Sequence, residues 1–466
     1  MTKRCQRHGL PVDGKWGERE REPLEMNMFG DDRYAAAFVD TWRRIATRCA
    51  PVVQTTGRIY TNRPRFYKTP AGESARMGPV SRYERDMNPS TTPLDLPASS
   101  EPAFLFGCGR FRMEERLLER CPQEILRFGR RPLVVCDATS RAVAGDAACD
   151  ALRGAGAAAR VLEHGGFCCR EDALAVAESG GLDGVDVVVG CGGGLILDFS
   201  KCLAHLAGAP LVTIPTSSAQ CCAYTSIACC YTREGRYVST SHFAREPAAA
   251  LLDLSILARQ PSRLLAAGAL DAMAKKIEIE FWTQLDARTG AGASGAAAPS
   301  GIAAAISDFI HADIDGKIDA ALAGLGEGGP SPALRDVVFD SVVGAGIVSG
   351  ISGGSRQVAL AHRLYYGART LHPALAARYT HGELVAVGLV MQHVYNGAPE
   401  KADALAARLR KWGLAASMGE LGFGTAPGDL GAWTAYLLGT KTMKAALAAD
   451  AGSEKRLRES MGAVFR

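Results

Sequence analysis

The sequence predicts an α/β domain built on an open, mainly parallel sheet, followed by an all-α domain, and three observations predict it. From Ala103 to about Leu254, short β-branched runs alternate with helical patterns, which is how a parallel sheet with helices on both faces reads in sequence. After Ser262 the pattern changes to Ala- and Leu-rich helical periodicity almost to the end. Within the first half a buried strand runs directly into the glycines Gly190 to Gly194. A cleft is expected where the two halves meet.

The elements follow in order. Strands are expected at Pro132 to Cys136, Ala159 to Leu162, Val185 to Gly190, Leu211 to Ile214 and Ala249 to Leu252. Helices are expected at Met113 to Cys121, Ser140 to Ala155 and Leu197 to Leu206. In the helical half, Gly/Ala/Ser-rich loops are expected at Thr289 to Gly301 and Gly324 to Pro332. Residues 1–100 read differently, with charge clusters, one helix-like piece at Tyr34 to Arg48 and a Pro/Ser/Thr-rich stretch ending near 100. The expected organisation is therefore an extension over 1–100, an α/β domain over 101–260 and a helical domain over 261–466.

Composition narrows the function classes. A net charge of +4 is too small to imply a nucleic acid or an anionic membrane as partner. No apolar run reaches the roughly eighteen residues of a membrane helix, and Met1 to Leu10 lacks the apolar core of a secretory signal. The expected setting is cytoplasmic, with an organelle-targeting role for the extension left open, although its acids Glu18, Glu20, Glu22, Asp31 and Asp32 do not suit a transit peptide. The 14 cysteines contain no C-x-x-C spacing, so buried reduced thiols are expected rather than a zinc ribbon or a redox pair.

Two groups of residues carry chemistry. Gly192, Gly193 and Gly194 lie at a strand-to-helix turn, where backbone amides and a helix N-terminus suit a pyrophosphate. The next strand ends in Pro215, Thr216, Ser217 and Ser218, whose hydroxyls emerge at the same sheet edge. Asp198 and Lys201, further along the following helix, read as helix-surface and capping residues or as ligand contacts. In the helical half, Asp271 sits among leucines and alanines, an unusual place for an unpaired carboxylate. His362 and His381 follow on later segments; two imidazoles and one carboxylate leave a divalent metal with an open position, as catalytic sites do. His311, His372 and His393 compete with them on spacing alone.

Taken in order, Gly192-Gly193-Gly194-x-x-x-Asp198-x-x-Lys201, Pro215-Thr216, Tyr231-Thr232-x-Glu234-Gly235, Asp271, Ala361-His362 and His381-Gly382-Glu383-x-Val385-Ala386-x-Gly388 resemble the glycerol dehydrogenase branch of the iron-containing alcohol dehydrogenase superfamily. The resemblance covers roughly residues 101 to 440. It implies a Rossmann-like parallel-sheet domain plus an all-α domain, the dehydroquinate synthase-like fold. It implies NAD as cofactor, with its pyrophosphate at Gly192, Gly193, Gly194, Leu195 and Ile196 and its adenosine ribose at Asp137. Thr216 and Ser217 would line the cofactor site, and Thr225, Ile227 and Tyr231 would meet the nicotinamide and its ribose. Asp271, His362 and His381 would be the catalytic metal ligands for one zinc or iron ion, and a small alcohol or carbonyl compound the substrate. A homo-oligomer is implied by the same analogy.

The departures from the family pattern bear on the substrate. Cys221 stands where glycerol dehydrogenases carry an aspartate that holds a polyol hydroxyl, so glycerol itself is not the expected substrate. Tyr365 replaces a second histidine of many relatives, and Leu270 a glycine before the metal aspartate. The insertion near Gly290 to Ser300 reads as a loop. Three other functions share parts of this pattern: a dehydroquinate synthase-like carbon–oxygen lyase, a catalytically silent relative, and a glycerol-1-phosphate dehydrogenase. The lyase family carries a glutamate as its metal acid where this chain has Asp271. The phosphate reading lacks a basic cluster.

Overall fold

A computed structural model describes residues 106–289, 300–326, 329–352 and 356–466. The extension over 1–100, its Tyr34 to Arg48 piece and its linker lie outside the described residues, as does most of the loop expected at Thr289 to Gly301. The described residues belong to one compact unit. Strands are labelled β1 to β8, and helices of eight residues or more α1 to α12.

The first half is a six-stranded sheet. Its strands are β1 (Phe111–Glu114), β2 (Pro132–Cys136), β3 (Arg160–Glu163), β4 (Val187–Gly192), β5 (Leu211–Pro215) and β8 (Ala249–Asp253), in the order β1-β8-β5-β4-β2-β3. Every pairing is parallel. Helices α1 (Asp146–Gly154), α2 (Arg170–Glu178) and α3 (Gly194–Ala207) cover it. Side-chain alternation divides β2 between two cores: Val134 and Cys136 pack with Ala148 and Leu152 of α1, while Leu133 and Val135 pack with Ala173 of α2 and Phe199 and Leu203 of α3. β4 and β5 are buried throughout, which is why both read as continuous apolar runs.

The strands expected from sequence form within two residues of their expected bounds, but the helix expected at Met113 to Cys121 does not. Its start is β1, which pairs in register with β8 from Phe111↔Ala250 to Glu114↔Asp253. A 3-10 turn at Leu117–Glu119 and a short helix at Cys121–Ile125 follow. The sequence Phe-Arg-Met-Glu has no β-branched residue, so only the parallel partner makes it a strand. A hairpin of β6 (Ile227–Tyr231) and β7 (Tyr237–His242) also escapes the sequence reading.

The second half is helical: α4 (Ser262–Thr289), α5 (Ser300–Ala323), α6 (Pro332–Phe339), α7 (Leu360–Leu371), α8 (His381–Tyr395), α9 (Pro399–Lys411), α10 (Pro427–Gly439), α11 (Lys441–Ala449) and α12 (Ser453–Val464). The connection expected from Gly324 lies between α5 and α6. α4, α7 and α8 pack on one another at the centre. Two glycines permit that closeness. A Cβ on Gly382 would stand 2.1 Å from the Ala267 carbonyl of α4, and one on Gly388 2.5 Å from the Ala361 carbonyl of α7, so α8 meets both neighbours backbone to backbone. No helix among the described residues is long and apolar enough to cross a membrane.

Candidate active site

The strand order fixes where a cofactor can sit. From β2 the chain moves outward to β3, then returns to the other side of β2 as β4 and continues to β5. The crevice of an open parallel sheet lies outside the strand C-termini at such a reversal, here between Asp137 and the glycine turn. Asp137 follows β2 and accepts a hydrogen bond from the Ser140 amide at 2.7 Å, capping the turn that begins there. Gly192 ends β4, Gly193 precedes α3, and Gly194 opens it. No side chain caps α3, so its first-turn amides are available to an anion. Leu195 and Ile196 complete that turn, and Thr216 and Ser217, half-buried, leave β5 beside it.

The three glycines differ in what requires them. A Cβ on Gly192 would come within 2.8 Å of Ile196, and one on Gly194 within 2.6 Å of the Gln220 side-chain oxygen. Gly193 has φ −79° and ψ −175°, a conformation open to any residue, and a Cβ there would meet nothing nearer than Ser217 Oγ at 3.9 Å. Packing explains the first and third. The free space above Gly193 fits a cofactor that needs bare backbone.

Asp198 and Lys201 are both buried, which rules out the helix-surface alternative of the two left open for them. Lys201 Nζ donates to Asp198 Oδ1 at 2.9 Å and to the Ile227 carbonyl, and Asp198 Oδ2 accepts from the Cys229 amide at 3.0 Å. The pair ties α3 to β6, and with it the segment carrying Thr225, Ile227 and Tyr231. Tyr231 and Tyr365 share a short hydroxyl–hydroxyl hydrogen bond, and the Tyr365 ring lies 4.2 Å from that of His381. The β6 hairpin thereby reaches the helical half.

There Asp271 of α4, His362 of α7 and His381, the first residue of α8, converge, with one ligand atom from each lying within 4.8 Å of the others. Asp271 Oδ1 stands 3.3 Å from His362 Nε2 and 3.2 Å from His381 Nε2, yet this buried oxygen has no hydrogen-bond partner. An orphaned carboxylate oxygen facing two imidazole nitrogens fits a divalent cation, and an N/O donor set suits zinc or iron. Burial pushes the Asp271 carboxyl up, but the charges of His381 and Lys275 outweigh it and hold the group well below its ordinary value. Burial lowers His381, opposed by the Asp271 carboxylate. His311, His372 and His393 stand apart: His372 stacks on Trp433, and His393 lies in the last turn of α8.

Two residues of this site went unnoticed in the sequence. Glu278 Oε2 is 2.5 Å from His362 Nδ1, and Glu278 Oε1 accepts from the Ala359 and His362 amides at 2.7 and 3.0 Å. That fixes the ring with Nε2 toward Asp271. Lys275, also buried, completes the set. Burial lowers it, but the Asp271 carboxylate outweighs that and raises it above its ordinary value. The helical spacing could have revealed both, since Lys275 and Glu278 follow Asp271 by one and two turns on the same face. Glu278→Gln is expected to weaken zinc binding about 10- to 100-fold, the usual effect of removing such a support, measurable by competition with a chromogenic chelator.

Cys221 lies in a 3-10 turn, its Sγ 3.8 Å from Ser349 Oγ. Burial raises the thiol, opposed by Lys275, so it presents a neutral wall where the family pattern has a carboxylate.

The geometry sets a glycine turn at the C-terminal edge of a parallel sheet and gathers, on three helices, Asp271, His362 and His381, which could hold a metal ion. The chain is similar to the iron-containing alcohol dehydrogenases and, among them, to glycerol dehydrogenases. The model of that family, described as iron-containing alcohol dehydrogenase, matches residues 108–254. A glycerol dehydrogenase of Escherichia coli O6:H1 strain CFT073 is 26% identical over 314 residues, covering 67% of this chain and 83% of its own. Hydroxycarboxylate dehydrogenase A of Escherichia coli K12 is 28% identical over 262 residues, covering 55% and 68%. The crystal structure of glycerol dehydrogenase from Schizosaccharomyces pombe superposes with a TM-score of 0.62 at 21% identity, over 78% of this chain and 94% of that one.

Proposed function

We propose that this chain is a dehydrogenase that moves hydride between NAD and a small alcohol or its carbonyl product at a single divalent metal ion held by Asp271, His362 and His381. The observation that carries the proposal is the orphaned Asp271 Oδ1, 3.2 and 3.3 Å from two imidazole nitrogens. Residues 101–260 then form the NAD-binding domain and 261–466 the metal-binding one. When bound, the cation supplies Lewis-acid polarisation of the substrate oxygen, and NAD supplies the hydride acceptor or donor.

The chain's own residues do the rest. Glu278 holds the proton of His362 on Nδ1 and so keeps Nε2 free for the metal. The bare backbone at Gly193 and the uncapped start of α3 take the pyrophosphate, and the Asp137 carboxylate takes the ribose hydroxyls and disfavours a 2′-phosphate by repulsion. Tyr231 and Tyr365 form a wall between the nicotinamide segment and His381. Their contact, with the buried apolar surroundings, excludes water from the transfer path. The neutral thiol at Cys221 lowers preference for glycerol. The lyase alternative has no observation in its favour, since the metal acid is an aspartate and the relatives reported above are named as dehydrogenases.

The test is a survey of small alcohols, diols, hydroxy acids and carbonyls with zinc- and iron-loaded protein. It follows reduced nicotinamide by absorbance with NAD and with NADP. Turnover with NAD favoured over NADP is expected. Bound metal and cofactor without turnover of any substrate would overturn the proposal.

A further inference from the structure

We infer that Cys168, Cys202 and Cys230 form a metal site of their own, in the core of the α/β half, that takes one copper(I) ion in three-sulfur coordination. It shares no residue with the Asp271, His362 and His381 trio and stands independently of the dehydrogenase reading.

The three thiols come from separate parts of the chain: Cys168 lies two residues before α2, Cys202 on α3 and Cys230 on β6. Their sulfurs nevertheless lie within 4.8 Å of one another, and those of Cys168 and Cys202 stand 3.6 Å apart. Metal–sulfur bonds of about 2.3 Å set three sulfurs around one ion roughly 4 Å apart, which falls inside that range. Buried cysteines ordinarily serve as small apolar side chains, and Cys136, Cys149 and Cys191 on the other face of the sheet fit that description. Among the described residues no other three cysteines converge in this way.

The donor set decides the ion. All three donors are sulfur, and no histidine or carboxylate joins the group, which selects a thiophilic cation over magnesium, calcium or manganese. Structural zinc almost always takes four ligands, and these residues offer three. Copper(I), a soft ion, accepts three. Cys168 and Cys202 are fully buried and Cys230 nearly so, packed among Ala173, Phe199 and Phe243. That apolar shell penalises net charge, so the balanced complex is one in which copper(I) displaces a single thiol proton to solvent. One thiolate and two neutral thiols then surround a monovalent cation, with no change of oxidation state. Ser241 Oγ, 3.5 Å from Cys230 Sγ, is placed to donate to that sulfur once it carries the charge. An ion there ties α3, which begins at the glycine turn, to β6, which carries Ile227 and Tyr231.

The test is a competition titration, run without oxygen, in which metal-stripped protein meets the copper(I) complex of a chromogenic chelator. The wild-type chain is expected to withdraw one copper(I), and equimolar zinc is expected not to displace it. Cys168→Ala, Cys202→Ala and Cys230→Ala should each weaken uptake by more than the factor of about 10 to 100 that loss of a supporting residue costs. Cys169→Ala, which removes a sulfur that donates instead to Glu171 at 2.8 Å, should keep it, as should His381→Ala. X-ray absorption at the copper edge of the wild-type protein, which asks no variant to fold, is expected to show sulfur neighbours alone, three to the ion. Copper left on the chelator, uptake undiminished in the three variants, nitrogen or oxygen neighbours at the ion, or zinc preferred by the same sulfurs would overturn the inference.

Discussion

His381→Ala is expected to leave protein that folds and binds NAD but holds no stoichiometric zinc or iron and turns over substrate at least about a thousandfold more slowly. The size follows from the several kcal/mol that Lewis-acid stabilisation contributes, at about 1.4 kcal/mol for each tenfold in rate. The site loses one of three ligands, and Asp271 Oδ1 is left facing His362 alone. The fold survives because His381 does not start its own helix. Thr380 does, with its side chain accepting from the Glu383 amide and the Glu383 carboxylate accepting from the Thr380 amide at 2.7 Å. That cap is untouched by the substitution. Metal content by elemental analysis, NAD affinity by calorimetry and turnover together separate this outcome from unfolding. Full turnover by the metal-free variant would contradict the assigned role.

Gly193→Val is expected to do the opposite: metal content stays, while NAD affinity falls about 100-fold. The free protein has room for the side chain, since the backbone at Gly193 is already in a region open to valine and its Cβ meets nothing nearer than 3.9 Å. Thermal stability should therefore change little. The bound pyrophosphate has no such room, because its oxygens must reach the first-turn amides of α3. Substitution at Gly194 would be ambiguous, as a Cβ there strikes Gln220 at 2.6 Å whether or not cofactor is bound. Wild-type affinity in Gly193→Val would mean the pyrophosphate sits elsewhere.

The legible parts of the sequence were those where one physical demand dominates. β4 and β5 are buried on both faces, so each reads as an unbroken apolar run, and the glycine turn between β4 and α3 could be placed within two residues. Asp271 was legible because a carboxylate among leucines and alanines needs an explanation. β1 was not, because its strand character comes from pairing with β8 some 140 positions away, Phe111 against Ala250. Nor was the β6–β7 hairpin, which is held to α3 by the Asp198–Lys201 pair rather than by its own alternation. Glu278 and Lys275 were missed for a different reason: a Glu and a Lys within a helix read as surface residues until the fold turns their face inward toward His362 and Cys221. The convergence of three helices on one oxygen is a tertiary fact, and no spacing between Asp271, His362 and His381 encodes it.

The most direct test of the central claim is to strip metal from active protein with a chelator, then add zinc or iron back while following reduced nicotinamide with NAD and a responsive substrate. The account predicts that turnover disappears on stripping and returns in proportion to the metal bound, saturating at one ion per chain. Turnover that continues unchanged in protein shown to be metal-free would contradict it.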